Sequence, residues 1–245
     1  MMTSATSTSL QTAVILAGGL GTRLRSEVAD VPKPMAPVGG RPFLEHQMQF
    51  WIGQGIKRFI LSVGYKRDVI MSHFGRSWGG AVIDYAIEDE PLGTGGGVLV
   101  AAAQISEAEP FLLLNGDTFF AISLAEMYAQ HARMQADLTV ALFKASESGR
   151  YGRADLDADG RLHVLASEPA QAGEYANGGI YCFTKQALAV WLMEPLRKLS
   201  FEVDILPQML KAHQNLWGFK SEAAFIDIGI PDDWRRASQV ISAVQ

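Results

Sequence analysis

Apolar residues recur along this chain in two rhythms, and the order in which they alternate predicts its architecture. Residues 12–17 (TAVILA) are a short, partly β-branched apolar run that stops at Gly-Gly, the pattern of a buried central strand feeding a glycine loop. Pro42 at a first helical position predicts a helix through Gln54, with Phe43, His46, Gln47 and Phe50 at helical spacing and Gly53 and Gly55 ending it. A strand at 59–63, a helix at 66–74 and an alternating strand at 82–87 (VIDYAI) follow. A glycine-rich turn at 93–97 leads into an alanine-rich helix to 104, then a fully apolar strand at 111–114, a helix at 124–134 and a strand at 138–143. Strand and helix thus alternate up to residue 143, which predicts a parallel sheet with helices on both faces.

The second half changes texture. Runs at 154–157 and 162–165 flank Ala158, Asp159 and Gly160, a hairpin signal. A strand at 175–183, helices at 185–193 and 203–212, and strands at 216–219 and 224–227 follow. The last helix starts near Pro231, with Asp232 and Asp233 in its first turn. The expected fold is α/β: a Rossmann-like, mostly parallel mixed sheet with helices on both faces and a β-rich lid inserted late in the chain. One domain is expected over 12–245, preceded by a disordered Ser/Thr-rich tail at 1–11, which has neither the basic nor the apolar region of a signal peptide.

Composition narrows the class. Of 245 residues, 48% are hydrophobic and 19% charged, enough for one large core, and no apolar run approaches the roughly 18 residues of a membrane span. A net charge of −5 gives no bulk case for nucleic acid or an anionic membrane, so an anionic ligand needs a local site. Cys182 is the only cysteine, which excludes an internal disulfide and a cysteine-based zinc cluster and fits a reducing cytoplasm. Inside an apolar strand it reads as core. The histidines at 46, 73, 131, 163 and 213 lack ligand spacing and read as surface or packing residues.

The chemistry concentrates in LAGGLGTRL at 16–24, with Lys33-Pro34 ten positions after Arg23. Glycines let a backbone approach an anion closely and aim several N–H groups at it, and an arginine and a lysine add fixed charge for a polyphosphate. The dinucleotide fingerprint fails because Leu24 stands where its third glycine belongs, and no Gly-Lys-Ser/Thr completes a P-loop. Asp117 and Asp227 each end an apolar strand, and two carboxylates brought together across a sheet can hold Mg²⁺. Either one alone reads equally well as a helix cap.

Together, GGLGTRL and KPMAPVGGRP resemble the signature of the sugar-1-phosphate nucleotidylyltransferase family. PLGTGG at 91–96, LNGD at 114–117, NGGIY at 177–181 and FIDIG at 225–229 extend the likeness in order from about residue 12 to 235. The resemblance implies that the 18–23 loop binds the triphosphate, with Arg23 and Lys33 stabilising it through the reaction and Asp117 and Asp227 holding Mg²⁺. It implies a nucleotide site made of Leu16, Ala17, Gly18, Gly19, Gly21, Thr22, Arg23, Glu88, Pro91, Gly93, Thr94, Asn115 and Gly116. It also implies a sugar site under the lid at Gly152, Glu168, Asn177 and Gly178. One departure is plain: many relatives follow the sugar-site glutamate with a lysine for the sugar phosphate, whereas Pro169 follows Glu168 here. Arg153 is one substitute cation.

Glu88 bears on the base. Guanine presents N1–H and N2–H₂ side by side, two donors that suit a carboxylate, and uridylyl and thymidylyl relatives tend to carry glutamine at this position. GTP is therefore the expected donor, against the plainer reading of Glu88 as a solvated strand end. IEDEPLGTGGG, SFEVD and FIDIGIPDDW most resemble the branch that guanylylates D-glycero-α-D-manno-heptose 1-phosphate, supplying GDP-heptose for capsule or other surface polysaccharide. Mannose 1-phosphate guanylylation and uridylylation of an amino-sugar phosphate are the rival substrates. A non-catalytic nucleotide-sugar-binding protein is the rival class, although binding alone does not need Arg23, Lys33 and both aspartates together. Family members often associate, but no feature of the chain specifies an interface.

Overall fold

The computed structural model describes residues 10–19, 21, 24, 27–28, 30–106 and 109–244. Strand β1 (Thr12–Leu16) lies at the heart of a ten-stranded sheet. A 3₁₀ turn (Lys33–Met35) and a small hairpin, β2 (Pro37–Val38) and β3 (Arg41–Pro42), lead into helix α1 (Phe43–Gly53). Then come β4 (Arg58–Val63), α2 (Arg67–Phe74), β5 (Ser77–Trp78), β6 (Ala81–Ile87), α3 (Gly93–Ala102) and β7 (Phe111–Asn115). After β8 (Thr118–Phe120) and α4 (Leu124–Arg133), β9 (Leu138–Lys144), β10 (Gly152–Leu156), β11 (Leu162–Pro169) and β12 (Tyr175–Phe183) complete most of the sheet. The chain ends through α5 (Ala189–Leu192), α6 (Leu206–Lys211), β13 (Leu216–Lys220), β14 (Phe225–Asp227) and α7 (Pro231–Ser242).

Side-chain alternation along β1 explains the layers. Ala13 and Ile15 join a core that also holds Leu44, Met48 and Trp51 of α1, whereas Val14 faces Val98, Leu99, Ala101 and Ala102 of α3. Helices therefore cover both faces, as a parallel sheet requires. Strands β6, β4, β1 and β7 run parallel, β7 pairs antiparallel with β12, and β12 pairs antiparallel with β9, which carries β13 in parallel. The chain lays β4 and β6 on one side of β1 and returns to place β7 on the other, so the strand order reverses between β1 and β7. Their C-terminal ends line up: Leu16 lies opposite both Ser62 and Asn115.

Several expectations need correction. Residues 1–9 of the expected tail lie outside the described residues, but Leu10 is buried and the carbonyl of Gln11 accepts from the N–H groups of Lys57 and Arg58. Pro42 closes β3 and precedes α1 rather than being its first residue. The glycines from 93 are the opening turns of α3 itself, because a bare helix face can press on its neighbours: a Cβ on Gly97 would lie 2.7 Å from Ser62 Oγ. The helix expected at 185–193 is a 3₁₀ turn (Lys185–Leu188) followed by α5, and that at 203–212 is a π turn (Phe201–Ile205) followed by α6. The β-rich part expected late in the chain is present, as the β10–β11 hairpin that extends the main sheet from β12. Strand β8, too short to show a period, pairs with β14 in its own two-stranded sheet.

His131 on α4 is buried, with Nδ1 2.9 Å from Thr139 Oγ1, and burial lowers its pKa from 6.5 to about 4 although Asp137 pulls the other way. Between these values the unfolded chain binds the proton that the folded chain refuses, so stability rises with pH from about 4 to about 6.5. His131→Gln should flatten that rise, read as urea midpoints at about pH 4.5 and about pH 7.5.

Candidate active site

The aligned strand ends open onto a cleft of about 760 Å³, at the place where an open α/β sheet binds its ligands. Its floor is Leu16, Gly18 and Gly19 at the end of β1, Ser62, Gly64 and Tyr65 at the end of β4, and Asn115, Gly116 and Asp117 at the end of β7. Backbone bonds fasten these three strand exits together: Ala17 N–H to Ser62 O at 2.8 Å, Gly116 N–H to Leu16 O at 3.1 Å and Tyr65 N–H to Gly18 O at 3.4 Å. Gly116 admits no side chain, because its Cβ would lie 2.3 Å from the Leu16 carbonyl oxygen.

One end of the cleft is charged. Asp117 follows β7, Asp227 ends β14, and the antiparallel pairing of β8 with β14 sets Thr118 opposite Asp227, which brings the two carboxylates together. Ile228 N–H also donates to the Asp117 carbonyl at 2.9 Å. Lys33, with its side chain only 10% exposed, reaches between them, 2.5 Å from Asp117 Oδ2 and 3.9 Å from Asp227 Oδ1. Burial and the Asp117 carboxylate push the pKa of Asp227 up, while Lys33 and the Gly229 N–H act against that shift. Lys33 and, 3.9 Å from Asp227 Oδ2, Arg150 are the cations facing the pair, and two carboxylates this close form a place that a divalent cation would fit. Among the described residues no group of three or more His, Cys, Asp or Glu could hold a metal ion, and a cation at this pair would need further oxygen donors, such as phosphate or water.

The other end is built around Glu88, just beyond β6. Its Oε1 accepts from Ser62 Oγ at 2.9 Å and its Oε2 from Leu92 N–H at 3.0 Å. The carboxylate is therefore first a brace for the 88–92 turn, and it still lines the cleft with lone pairs to spare. Asp89, Pro91, Gly93 and Thr94 continue this wall. The Thr94 hydroxyl donates to Glu202 Oε2 at 3.0 Å and accepts from Phe201 N–H at 2.8 Å, tying the start of α3 to the 199–202 segment.

A profile of the nucleotidyl transferase family matches residues 12–243. The chain belongs to that family. It is 42% identical over 228 residues to the D-glycero-alpha-D-manno-heptose 1-phosphate guanylyltransferase of Aneurinibacillus thermoaerophilus, covering 93% of this chain and 96% of that one. It is 36% identical to the enzyme of the same name from Campylobacter jejuni, covering 91% and 96%. The crystal structure of HddC from Yersinia pseudotuberculosis superposes with a TM-score of 0.82 at 36% identity, over 94% of this chain and 99% of that one, and the same protein is known complexed with GMP-PN. The mannose-1-phosphate guanylyltransferase of Mycobacterium tuberculosis is 31% identical over 92% of this chain, which covers 63% of that protein.

Within this nucleotidyl transferase the cleft gathers Leu16, Gly18, Gly19, Gly21, Lys33, Glu88, Pro91, Gly93, Thr94, Asn115, Gly116 and Asp117. Thr22 and Arg23 lie outside the described residues. Ala17 is buried behind the loop, and Asp227 joins through Lys33 rather than through the cleft wall. The expected sugar residues stand apart from this lining. Glu168 is exposed on β11, one residue before Pro169, which lies opposite Gly152, and Arg153 pairs with Asp155 at 3.0 Å. Asn177 is held internally, donating to Tyr181 Oη at 2.7 Å and accepting from Gly179 N–H at 2.9 Å. A Cβ on Gly178 would strike Phe120 at 2.6 Å, so this glycine lets β12 and β8 meet. Cys182 is fully buried, with its thiol pKa pushed up by burial, and is core as expected.

Ser62, Gly64, Tyr65, Arg67 and Lys198 line the cleft without having been singled out in the sequence. The first three lie at or just beyond the C-terminal end of β4, as Leu16 and Gly18 do for β1, and the rule that parallel strand ends face the ligand points to them. Lys198 arrives from a loop far along the chain, where no local pattern marks it.

Gly93 has φ +74°, and its Cβ would lie 2.5 Å from the Leu199 carbonyl oxygen. Gly93→Ala should cost roughly 2–4 kcal/mol in urea unfolding. Gly19→Ala, whose Cβ meets nothing within 4 Å, should cost under about 0.5 kcal/mol in the same measurement.

Proposed function

We propose that this nucleotidyl transferase transfers GMP from GTP to a sugar 1-phosphate, D-glycero-α-D-manno-heptose 1-phosphate, giving GDP-heptose and pyrophosphate. The single observation that carries the reaction class is the convergence of Lys33, Asp117 and Asp227 at the end of a cleft lined by Gly18, Gly19 and Gly21. The choice of guanine and heptose is supported by the names of two relatives that align over nearly their whole length, and by Glu88 on the cleft wall.

A sugar phosphate oxygen is already anionic near neutrality, so no side chain has to remove a proton. That oxygen bonds to the α-phosphorus as the bond from the α-phosphorus to the bridging oxygen breaks, and pyrophosphate leaves with the electron pair. What the protein supplies is alignment and charge. Backbone N–H groups of the glycine loop receive the triphosphate, and Lys33, with Arg23 by resemblance, offsets its negative charge. Asp117 and Asp227 would hold Mg²⁺, which neutralises phosphate charge and steadies the departing pyrophosphate. Gly152, Glu168, Asn177 and Gly178 remain the proposed sugar contacts, supported by the family resemblance alone. The domain from residue 12 onward acts as one unit in this reading.

Pyrophosphate release with the heptose 1-phosphate and Mg²⁺ should be fastest with GTP among GTP, UTP, CTP, dTTP and ATP. A preference for UTP or dTTP would overturn the guanine assignment, and silence with every nucleotide and with mannose 1-phosphate would favour a binding protein. Asp117→Asn should lower turnover by about a hundredfold or more. Glu88→Gln tests the base directly. Its oxygen can still accept from Leu92 N–H and its amide can donate to Ser62 Oγ, so the brace survives while the acceptor for guanine is lost. The GTP:UTP ratio should fall about tenfold or more.

A further inference from the structure

A second tier of charge lies behind the carboxylate pair. Arg150, in the loop before β10, donates from Nη2 to the Asp227 carbonyl oxygen at 3.3 Å and stands 3.9 Å from Asp227 Oδ2. The same nitrogen pairs with Asp233 Oδ2. Asp233, in the first turn of α7, is only 4% exposed and also accepts from Arg236 Nε at 2.6 Å. The Arg150 guanidinium is seated over the Tyr151 ring, 4.9 Å from its centroid, and that ring packs edge-on against Phe143 and Phe225. A buried Arg–Asp pair is weak evidence for stability, since both ions lose water, and it is more readily understood where it fixes a geometry.

We infer that Arg150, braced by Asp233, is a positioning residue for Asp227, holding the end of β14 so that its carboxylate stays beside Asp117. The inference rests on the reading of these two aspartates as the divalent-cation carboxylates. Two carboxylates side by side repel, and Lys33 grips Asp117 much more closely than Asp227. Arg150 supplies the missing restraint from the opposite side. It holds the backbone carbonyl and approaches Oδ2, while Gly229 N–H holds Oδ1 at 2.6 Å. Coulomb's law alone makes the contrary prediction, because removing a positive charge near a metal site should tighten cation binding. The sign of the change therefore separates positioning from simple electrostatics.

The test is Mn²⁺ binding to the full chain without substrate, followed by loss of the free-ion EPR signal. Arg150→Met and Asp233→Asn should each weaken Mn²⁺ binding about tenfold or more, the usual range for partners that orient a metal ligand. Arg150→Lys should recover part of the loss, since it restores the charge without the planar fork. Arg236→Met, which also meets Asp233 but touches neither carboxylate of the pair, should stay within about twofold of the original. If Arg150→Met does not fold, Arg150→Lys carries the comparison, because it keeps the charge and electrostatics alone leaves Mn²⁺ binding unchanged, whereas Asp233→Asn removes a negative charge and weakens binding on either account. Unchanged or tighter binding in the Arg150 and Asp233 variants, beside normal binding by the original chain, overturns this inference alone. So does an equal loss in Arg236→Met. An original chain that takes up no Mn²⁺ overturns the carboxylate reading and the inference with it.

Discussion

Lys33 reaching between Asp117 and Asp227 is the interaction on which the rest of the site depends. Three charged groups from three distant parts of the chain meet there, Lys33 and Asp227 largely withdrawn from water and Asp117 only partly so. Like-charged carboxylates cannot stay together in that setting without cations, and burial and Asp117 together raise the pKa of Asp227 even with the lysine present. The fold holds the residues close against that repulsion through strand pairing: β8 and β14 form a separate two-stranded sheet that sets one aspartate beside the other.

The large sheet serves the same end. Reversal of strand order between β1 and β7 leaves a crevice at the strand ends, and the backbone bonds joining Ala17, Ser62, Leu16 and Gly116 keep its floor rigid. Around that floor, glycines stand where backbones come too close for a side chain, Gly116 against Leu16 being the tightest. Among the described residues no helix is long and apolar enough to cross a membrane. The ligands this architecture suits are small anions that enter the crevice.

Much of this was legible in the order of residues. Alternating strand and helix patterns disclosed the parallel half, because strands buried on both faces are continuous apolar runs. Family motifs led to Lys33, Asp117 and Asp227, whose proximity no local pattern could reveal, since Asp227 arrives through a three-residue strand. Glu88 was read for its chemistry toward a base, but its bonds to Ser62 and Leu92 depend on tertiary contact. The start of α3 was misread because glycine signals a turn locally, whereas here close packing against Leu199 and Ser62 outweighs its poor helix propensity. Arg150 escaped notice for a similar reason: a lone arginine in a loop acquires meaning only when α7 brings Asp233 to it.

The most direct test of this account is anomalous diffraction from crystals of the protein soaked with Mn²⁺ and a non-hydrolysable GTP analogue. The account predicts a Mn²⁺ peak shared by the carboxylates of Asp117 and Asp227, with the nucleotide phosphates on the 18–21 loop. A nucleotide bound in the cleft with Mn²⁺ away from both aspartates, or no density in the cleft at all, would contradict it.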